Sequence, residues 1–395
     1  MKPRLLFLIS RFLDGGIDTI LVEYLRHIPL DQYDVTLAIG MGFGELEVHK
    51  PRIPQGVKVE YLVDNTVLTR WRKQKLKGKL PVGCKLLDEA FLNPVRTAVS
   101  RGKLKRLLKD ADAVIDFDAT FYTSLRGVKK PVVGFYHFSI EENLKRNRRH
   151  TMRQMQGMSD YTAIALLSDV MMDEGRRLFP SLSDKFVRIY NGYDAAELRR
   201  RGEQPETDRI EQPYFVAVQR LEETQKDVTT LLHAYASARK ETLSKRMTFP
   251  DLVIVGTGRD AERLQALAKQ LGVDDTVRFL GFRMDAAPYI ANSIALILSS
   301  KYEGFGLVIV EAMILGRPVI ATDCPTGPAE ILDDGRYGIL APPGDVRALA
   351  DAMSLVACDE EVRQSLARKS VERAEMFDIK ISLDKLFELC QVKKM

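Results

Sequence analysis

Two carboxylates eight positions apart, Glu303 and Glu311, flank a turn that carries Gly304 and Gly306. Glycine lets an anion approach the backbone, and the unpaired N–H groups and dipole of a following helix N-terminus attract it. Phosphate is the guest such a turn suits. The carboxylates cannot neutralise a phosphate, but Asp and Glu accept hydrogen bonds from hydroxyls, as they do with ribose in dinucleotide sites. Together the residue types describe a ligand that has both phosphate and sugar hydroxyls. His137 is a further candidate, because it follows the apolar run 131–135 with only Tyr136 between. A neutral imidazole at a strand end can donate a hydrogen bond to a sugar hydroxyl or a carbonyl.

These residues need particular elements to position them. The short apolar runs 295–299 and 318–321 have strand length, and the stretch between them reads as loop, helix and loop in a βαβ unit. The helix is expected to start near Gly306 and stop at Gly316, with Pro318 unable to continue it. Earlier runs at 4–10, 35–39, 57–62, 113–117 and 131–135 read as strands of a parallel α/β sheet. After the first of them, the turn Asp14-Gly15-Gly16 leads into Ile17, Ile20, Leu21, Tyr24 and Leu25 at helical spacing. That turn lacks G-x-G-x-x-G. The later turn Gly256-Thr257-Gly258 with Ala261 satisfies G-x-G-x-x-A and keeps a nicotinamide-dinucleotide alternative open.

The run E-G-F-G-L-V-I-V-E-A-M-x-x-G-x-P-V-I-A-T from Glu303 resembles the Glu-x7-Glu segment of the retaining, nucleotide-sugar-dependent glycosyltransferases of the GT-B fold, the family 4-like group 1 enzymes. The resemblance implies an α/β fold of two Rossmann-like domains facing a cleft, with a final helix crossing back to the N-terminal domain. By position, Glu303 would contact donor-sugar hydroxyls, Glu311 the ribose, and the backbone from Gly304 through Phe305, Gly306 and Leu307 to Val308 the sugar and diphosphate. Arg220 and Lys226 match the Arg and Lys that grip the diphosphate, and His137 the His near the donor sugar. Gly15, Gly16 and Gly256 would lie against the donor, and Phe282 and Arg283 would face its base. Where the family often has glycine after the Lys, this chain has Asp227, which implies a local loop difference. No residue is an obvious covalent nucleophile, and the resemblance implies neither metal nor cofactor beyond the nucleotide-sugar co-substrate.

The length of 395 residues suits two domains. The expected boundaries are 1–200 for the acceptor domain, 201–212 for a polar linker, 213–372 for the donor domain and 373–395 for the returning helix. No apolar span approaches the ~20 residues needed to cross a bilayer. The four cysteines are scattered without C-x-x-C, so neither zinc nor a disulfide framework is suggested and a reducing cytosol is expected.

Charge is uneven. From Arg70 to Lys109 there are 13 Lys and Arg against Asp88 and Glu89, a net +11, so with +5 overall the rest of the chain sums to −6. Apolar side chains interleave the bases. Arg70, Trp71, Arg72, Lys73, Lys75 and Lys77 therefore read as a surface for an anionic leaflet, with a solvated face and nucleic-acid phosphates as alternatives. The resulting expectation is a retaining transferase that moves a sugar from a nucleoside diphosphate donor to a saccharide hydroxyl in lipid-linked glycan synthesis. A glycoside hydrolase, a nucleotide-sugar epimerase and a non-catalytic nucleotide- or membrane-binding module are the rivals.

Overall fold

The computed structural model describes residues 2–76, 81–206, 208 and 210–391, apart from the side chain of Val82. They form two units. The first comprises residues 1–167, 171–192 and 379–395, and the second residues 168–170 and 193–378.

The first unit is built on seven parallel strands, β1 (Arg4–Ile9), β2 (Asp34–Met41), β3 (Lys58–Val63), β4 (Ala113–Asp116), β5 (Val132–Tyr136), β6 (Ala163–Leu166) and β7 (Phe186–Arg188). Their order is β3-β2-β1-β4-β5-β6-β7. Every residue of β4, β5 and β6 is buried, as expected when helices cover both faces of a parallel sheet. Helix Gly16–His27 buries Ile20, Leu21, Tyr24 and Leu25, and the Tyr24 ring meets Phe117 and Phe135 edge-on. The last helix, Ile379–Leu389, belongs to this unit. Its Phe387 stacks on Tyr33 at 4.7 Å, Ser382 Oγ donates to the Tyr190 carbonyl, and Gly192 lies so close to Ile379 that a Cβ would come within 2.7 Å of its Cα.

The second unit has six parallel strands, β8 (Tyr214–Val218), β9 (Asp251–Val255), β10 (Val277–Gly281), β11 (Ala295–Leu298), β12 (Val319–Thr322) and β13 (Ile339–Ala341). The order β10-β9-β8-β11-β12-β13 is that of a dinucleotide-binding sheet, with its reversal between β8 and β11. One buried layer, including Phe215, Ala217, Leu231, Ile254, Ile297, Leu349 and Met353, fills one face.

Two boundaries differ from the sequence reading. The polar stretch 201–212 is not the division between units, which falls between Gly192 and Tyr193. Its residues serve the second unit instead: Arg201 pairs with Asp285, Asp208 with Arg283, and Glu206 accepts from the Tyr214 hydroxyl. The second unit also runs past 372 to Asp378, and its last long helices are Val346–Cys358 and Glu360–Ala374. Asp359 separates them in an extended conformation, and its carboxylate caps the second by accepting from the Val362 N–H.

Candidate active site

Ligands of open α/β sheets bind beyond the carboxyl ends of the strands where the order reverses. In the second unit that point is defined by the loops after β8 and β11. The two loops are joined by hydrogen bonds from Ser299 Oγ to the Lys226 carbonyl (2.8 Å), Gln225 Nε2 to the Tyr302 carbonyl (3.3 Å) and the Lys301 N–H to the Gln225 carbonyl (2.7 Å). This seam brings together residues distant in sequence.

Lys226 Nζ donates to Glu303 Oε1 at 2.5 Å, and Ser300 Oγ donates to the same oxygen at 2.6 Å. The two charged side chains are 13% and 8% exposed. From sequence, Lys226 was expected on the diphosphate and Glu303 on sugar hydroxyls as separate groups; the structure joins them in one ion pair. The pair is electrically neutral, and Arg220 is the neighbouring cation. The Arg220 guanidinium is 64% exposed, donates to Gln225 Oε1 at 3.2 Å and lies 3.8 Å from Glu222.

The loop after Glu303 is held from below. Thr326 Oγ1 donates to the Glu303 carbonyl, and Gly327, at φ +96°, packs so tightly that a Cβ would fall 1.8 Å from the Phe305 carbonyl oxygen. Gly306, also at φ +96°, caps helix Leu307–Ile314. That backbone region favours glycine, so the turn is spelled by residue type. The helix stops as expected: Gly316 is left-handed, with its N–H donating to Met313 O and that of Arg317 to Ala312 O, a Schellman cap. Phe305 is buried edge-on against Phe377, leaving its backbone rather than its ring to meet a ligand. The first-turn N–H groups of Leu307 and Val308 have no acceptor within a helix by geometry. Glu311, on the helix, accepts from the Tyr193 hydroxyl at 2.6 Å.

Asp227 is left-handed at φ +47°, which explains why glycine serves at this place in the resembled family. Thr230 Oγ1 and Lys301 Nζ hold its carboxylate at 2.9 and 3.3 Å. In the turn 256–258 the glycines accommodate neighbouring chain. A Cβ on Gly256 would sit 2.0 Å from the Gln219 carbonyl and one on Gly258 would sit 2.2 Å from that of Leu221. Packing of the β8 loop therefore accounts for G-x-G-x-x-A without a dinucleotide. Of the pair expected at the base, Arg283 is committed elsewhere, donating to Asp208 at 2.6 and 2.9 Å and to the Phe282 carbonyl; the Phe282 ring is 43% exposed.

In the first unit, Gly15 is not in a strained turn, since its φ of −89° is open to any residue. Its N–H is taken by Asp18 Oδ2 at 2.9 Å, and Gly16 begins the helix. Burial lifts the Asp18 carboxyl to about 6. His137 is buried after β5 beside Phe117 and Phe135, and its Nε2 lies 2.6 Å from the Phe117 carbonyl oxygen. A carbonyl only accepts, so Nε2 carries the proton and Nδ1 is an acceptor. The donor capacity expected for a sugar is thus used internally.

Burial pushes the His137 pKa down to about 4, against the donation to Phe117 that raises it. Stability from the neutral ring is complete above the unfolded value of 6.5 and is lost as pH falls toward 4, by up to about 3 kcal/mol. Urea unfolding between pH 7 and pH 4 checks this: His137→Gln should flatten that limb, and an unchanged slope would contradict it.

Gln219 was missed by sequence reading. It is buried next to Arg220, and neither carboxamide atom has a hydrogen-bond partner among the described residues. The signal was a polar residue in step with inward-facing Phe215 and Ala217. Among the described residues no group of three or more His, Cys, Asp or Glu could hold a metal ion.

Two parallel sheets with interleaved helices make two Rossmann-like units, the architecture of the GT-B class. A family model described as glycosyl transferases group 1 matches residues 212–359. A lipopolysaccharide 1,6-galactosyltransferase of Escherichia coli is 32% identical over 71% of this chain and 80% of its own length. The chain belongs to the group 1 glycosyltransferases. An exopolysaccharide phosphotransferase of Streptomyces coelicolor is 35% identical over 38% of this chain, of which the chain spans 16%, and the chain spans about half the length of the next curated relatives it matches. The crystal structure of the Anabaena protein HepE with UDP and glucose has the same fold, with a TM-score of 0.74 at 18% identity over 98% of this chain and all of that one.

Proposed function

We propose that the protein is a retaining glycosyltransferase moving a sugar from a nucleoside diphosphate donor, UDP in the first instance, to a saccharide hydroxyl of a lipid-linked acceptor. The observation that carries this reading is the Lys226–Glu303 pair beside Arg220 and the glycine-capped helix at the reversal of the second sheet. Relatives that act on lipopolysaccharide and the UDP in the HepE structure support the donor and acceptor classes.

In this reading Arg220, Lys226 and the backbone from Gly304 to Val308 bind the diphosphate and offset the charge that develops as it leaves. Glu303 and His137 orient the sugar, His137 by accepting at Nδ1; Glu311 holds the ribose, Phe282 stacks on the base, and Gly15, Gly16 and Gly256 line the donor. The acceptor hydroxyl attacks from the face that the diphosphate leaves and passes its proton to a phosphate oxygen. The reading calls for no metal or cofactor, and nucleic acid is not a partner.

The basic segment would hold the enzyme peripherally at the inner face of a plasma membrane. Among the described residues no helix is long and apolar enough to cross one. Arg72 and Lys75 pair with Asp88 and Glu89, so Arg70 and Lys73 contribute more of the surface charge than the sequence count assigns them; Lys77 lies outside the described residues.

Thermal unfolding with UDP, GDP, ADP and NAD at equal concentration tests the donor site. A ligand at 100 times its Kd adds about 2.7 kcal/mol to the native state. UDP is expected to raise the midpoint and NAD to leave it in place; a shift with NAD alone would overturn the assignment.

A further inference from the structure

The segment after β3 folds as helix Thr66–Leu76, helix Val82–Leu87, a π-turn Asp88–Leu92 and helix Asn93–Asp110. Its inner side is held by one carboxylate. Asp88 is 1% exposed, lies 2.9 Å from Arg72 Nε and accepts a short hydrogen bond from Arg96, whose Nε also donates to the Leu68 carbonyl. Burial pushes the Asp88 pKa up, but the Arg96 bond and the charges of Arg96 and Arg72 outweigh it and hold the carboxyl below its ordinary range. An ion network thus fixes the first helix against the π-turn.

The outer side is different. Val67 is 68% exposed, Leu87 49% and Phe91 68%, which is unusual for large apolar residues clustered in one place. With Arg70, Trp71 and Leu92 they line a groove of about 410 Å³, within the range of small-ligand sites. A second hollow on the same helix is lined by Thr66, Thr69, Arg70, Lys73 and Gln74. Arg70 belongs to both. Apolar walls therefore run up to a cationic rim, in which neither Arg70 nor Lys73 forms an ion pair with a described residue. An apolar chain ending in an anionic head complements that pattern; nucleic acid would leave the apolar walls uncovered.

We infer that this groove seats an acyl chain of an anionic bilayer phospholipid, with Arg70 and Lys73 on its phosphate and Trp71 against the chain. The inference rests on the membrane part of the proposed function and specifies it, since a purely electrostatic anchor would need only the bases. Val67, Leu87 and Phe91 gain burial that the folded chain alone does not give them.

Trp71 is the only tryptophan in the chain, so its fluorescence reports the groove directly. The full-length protein is mixed with vesicles of phosphatidylglycerol and phosphatidylcholine in which the acyl chains carry bromine. Anionic vesicles should shift the Trp71 emission to the blue and chain bromines should quench it, whereas pure phosphatidylcholine should do neither. Phe91→Ser is expected to weaken vesicle binding on the order of 10- to 100-fold, and Arg70→Glu by about tenfold or more. Both side chains are exposed, and the UDP-induced thermal shift should persist in both variants, which separates loss of the groove from loss of the fold or of the donor site. Vesicle binding without quenching from the chains would reduce the surface to charge adsorption and overturn the inference. So would a blue shift of Trp71 with a monomeric isoprenoid phosphate without vesicles that exceeds the shift with bilayers, which would give the groove to the acceptor's own lipid.

Discussion

Glu303→Ala should lower sugar transfer about 10²- to 10³-fold in kcat while leaving the Kd for the nucleotide diphosphate unchanged or tighter. The reason lies in the ion pair. Glu303 neutralises Lys226 at 2.5 Å; without it the Lys226 side chain, 13% exposed, turns wholly to the phosphates. Ground-state binding of the diphosphate then gains a cation, but the sugar loses the acceptor that orients it. Glu303→Gln separates the effects, because an amide still accepts from Ser300 and no longer balances Lys226. Steady-state kinetics beside nucleotide titration reads both quantities. Transfer equal to the parent enzyme in both variants would remove Glu303 from the site, and a matched loss of nucleotide affinity and kcat would place it on the diphosphate instead.

Gly327→Ala should have the largest effect on stability. The added carbon would lie 1.8 Å from the Phe305 carbonyl oxygen, and the backbone at φ +96° is strained for any residue with a Cβ. Neighbouring atoms are backbone, so no side chain can rotate away. The turn must open, carrying Glu303 and the cap of helix Leu307–Ile314 with it. A loss of roughly 3 kcal/mol or more is expected, seen as a lower thermal midpoint, together with loss of the UDP shift. Gly344→Ala is the comparison: it too has positive φ, +77°, but nothing lies within 4 Å of its Cβ. Its smaller effect isolates backbone strain from collision. Equal effects would mean that the close approach to Phe305 does not hold in solution.

Much of this was legible in the residues. Apolar runs such as those of β1 and β5 announce buried parallel strands, and Gly306, Gly316 and Pro318 bracket a helix because their backbone preferences are local. Three strands escaped notice, β6 of four residues and β7 and β13 of three each, since runs so short carry no periodicity. The site was legible as a set of residue types but not as an arrangement. Nothing near Lys226 in sequence announces Glu303, because their pairing depends on the seam between two loops after neighbouring strands. Likewise the direction of the His137 hydrogen bond depends on the Phe117 carbonyl, which every residue possesses and no sequence signals. The basic segment showed its charge plainly, whereas the share of that charge spent on Asp88 and Glu89 follows only from folding.

The membership of helix Ile379–Leu389 in the first unit bears on how the protein is made. Residues 2–192 leave the ribosome without the partner that stacks on Tyr33 and closes over Gly192, and the whole second unit is synthesised before Phe387 and Ile379 appear. The second unit can therefore finish folding first, while the earlier-made one waits with an apolar face uncovered. Expression of the N-terminal part by itself is poorly conceived for the same reason, and a fragment that joins the final helix back to it is the one to make.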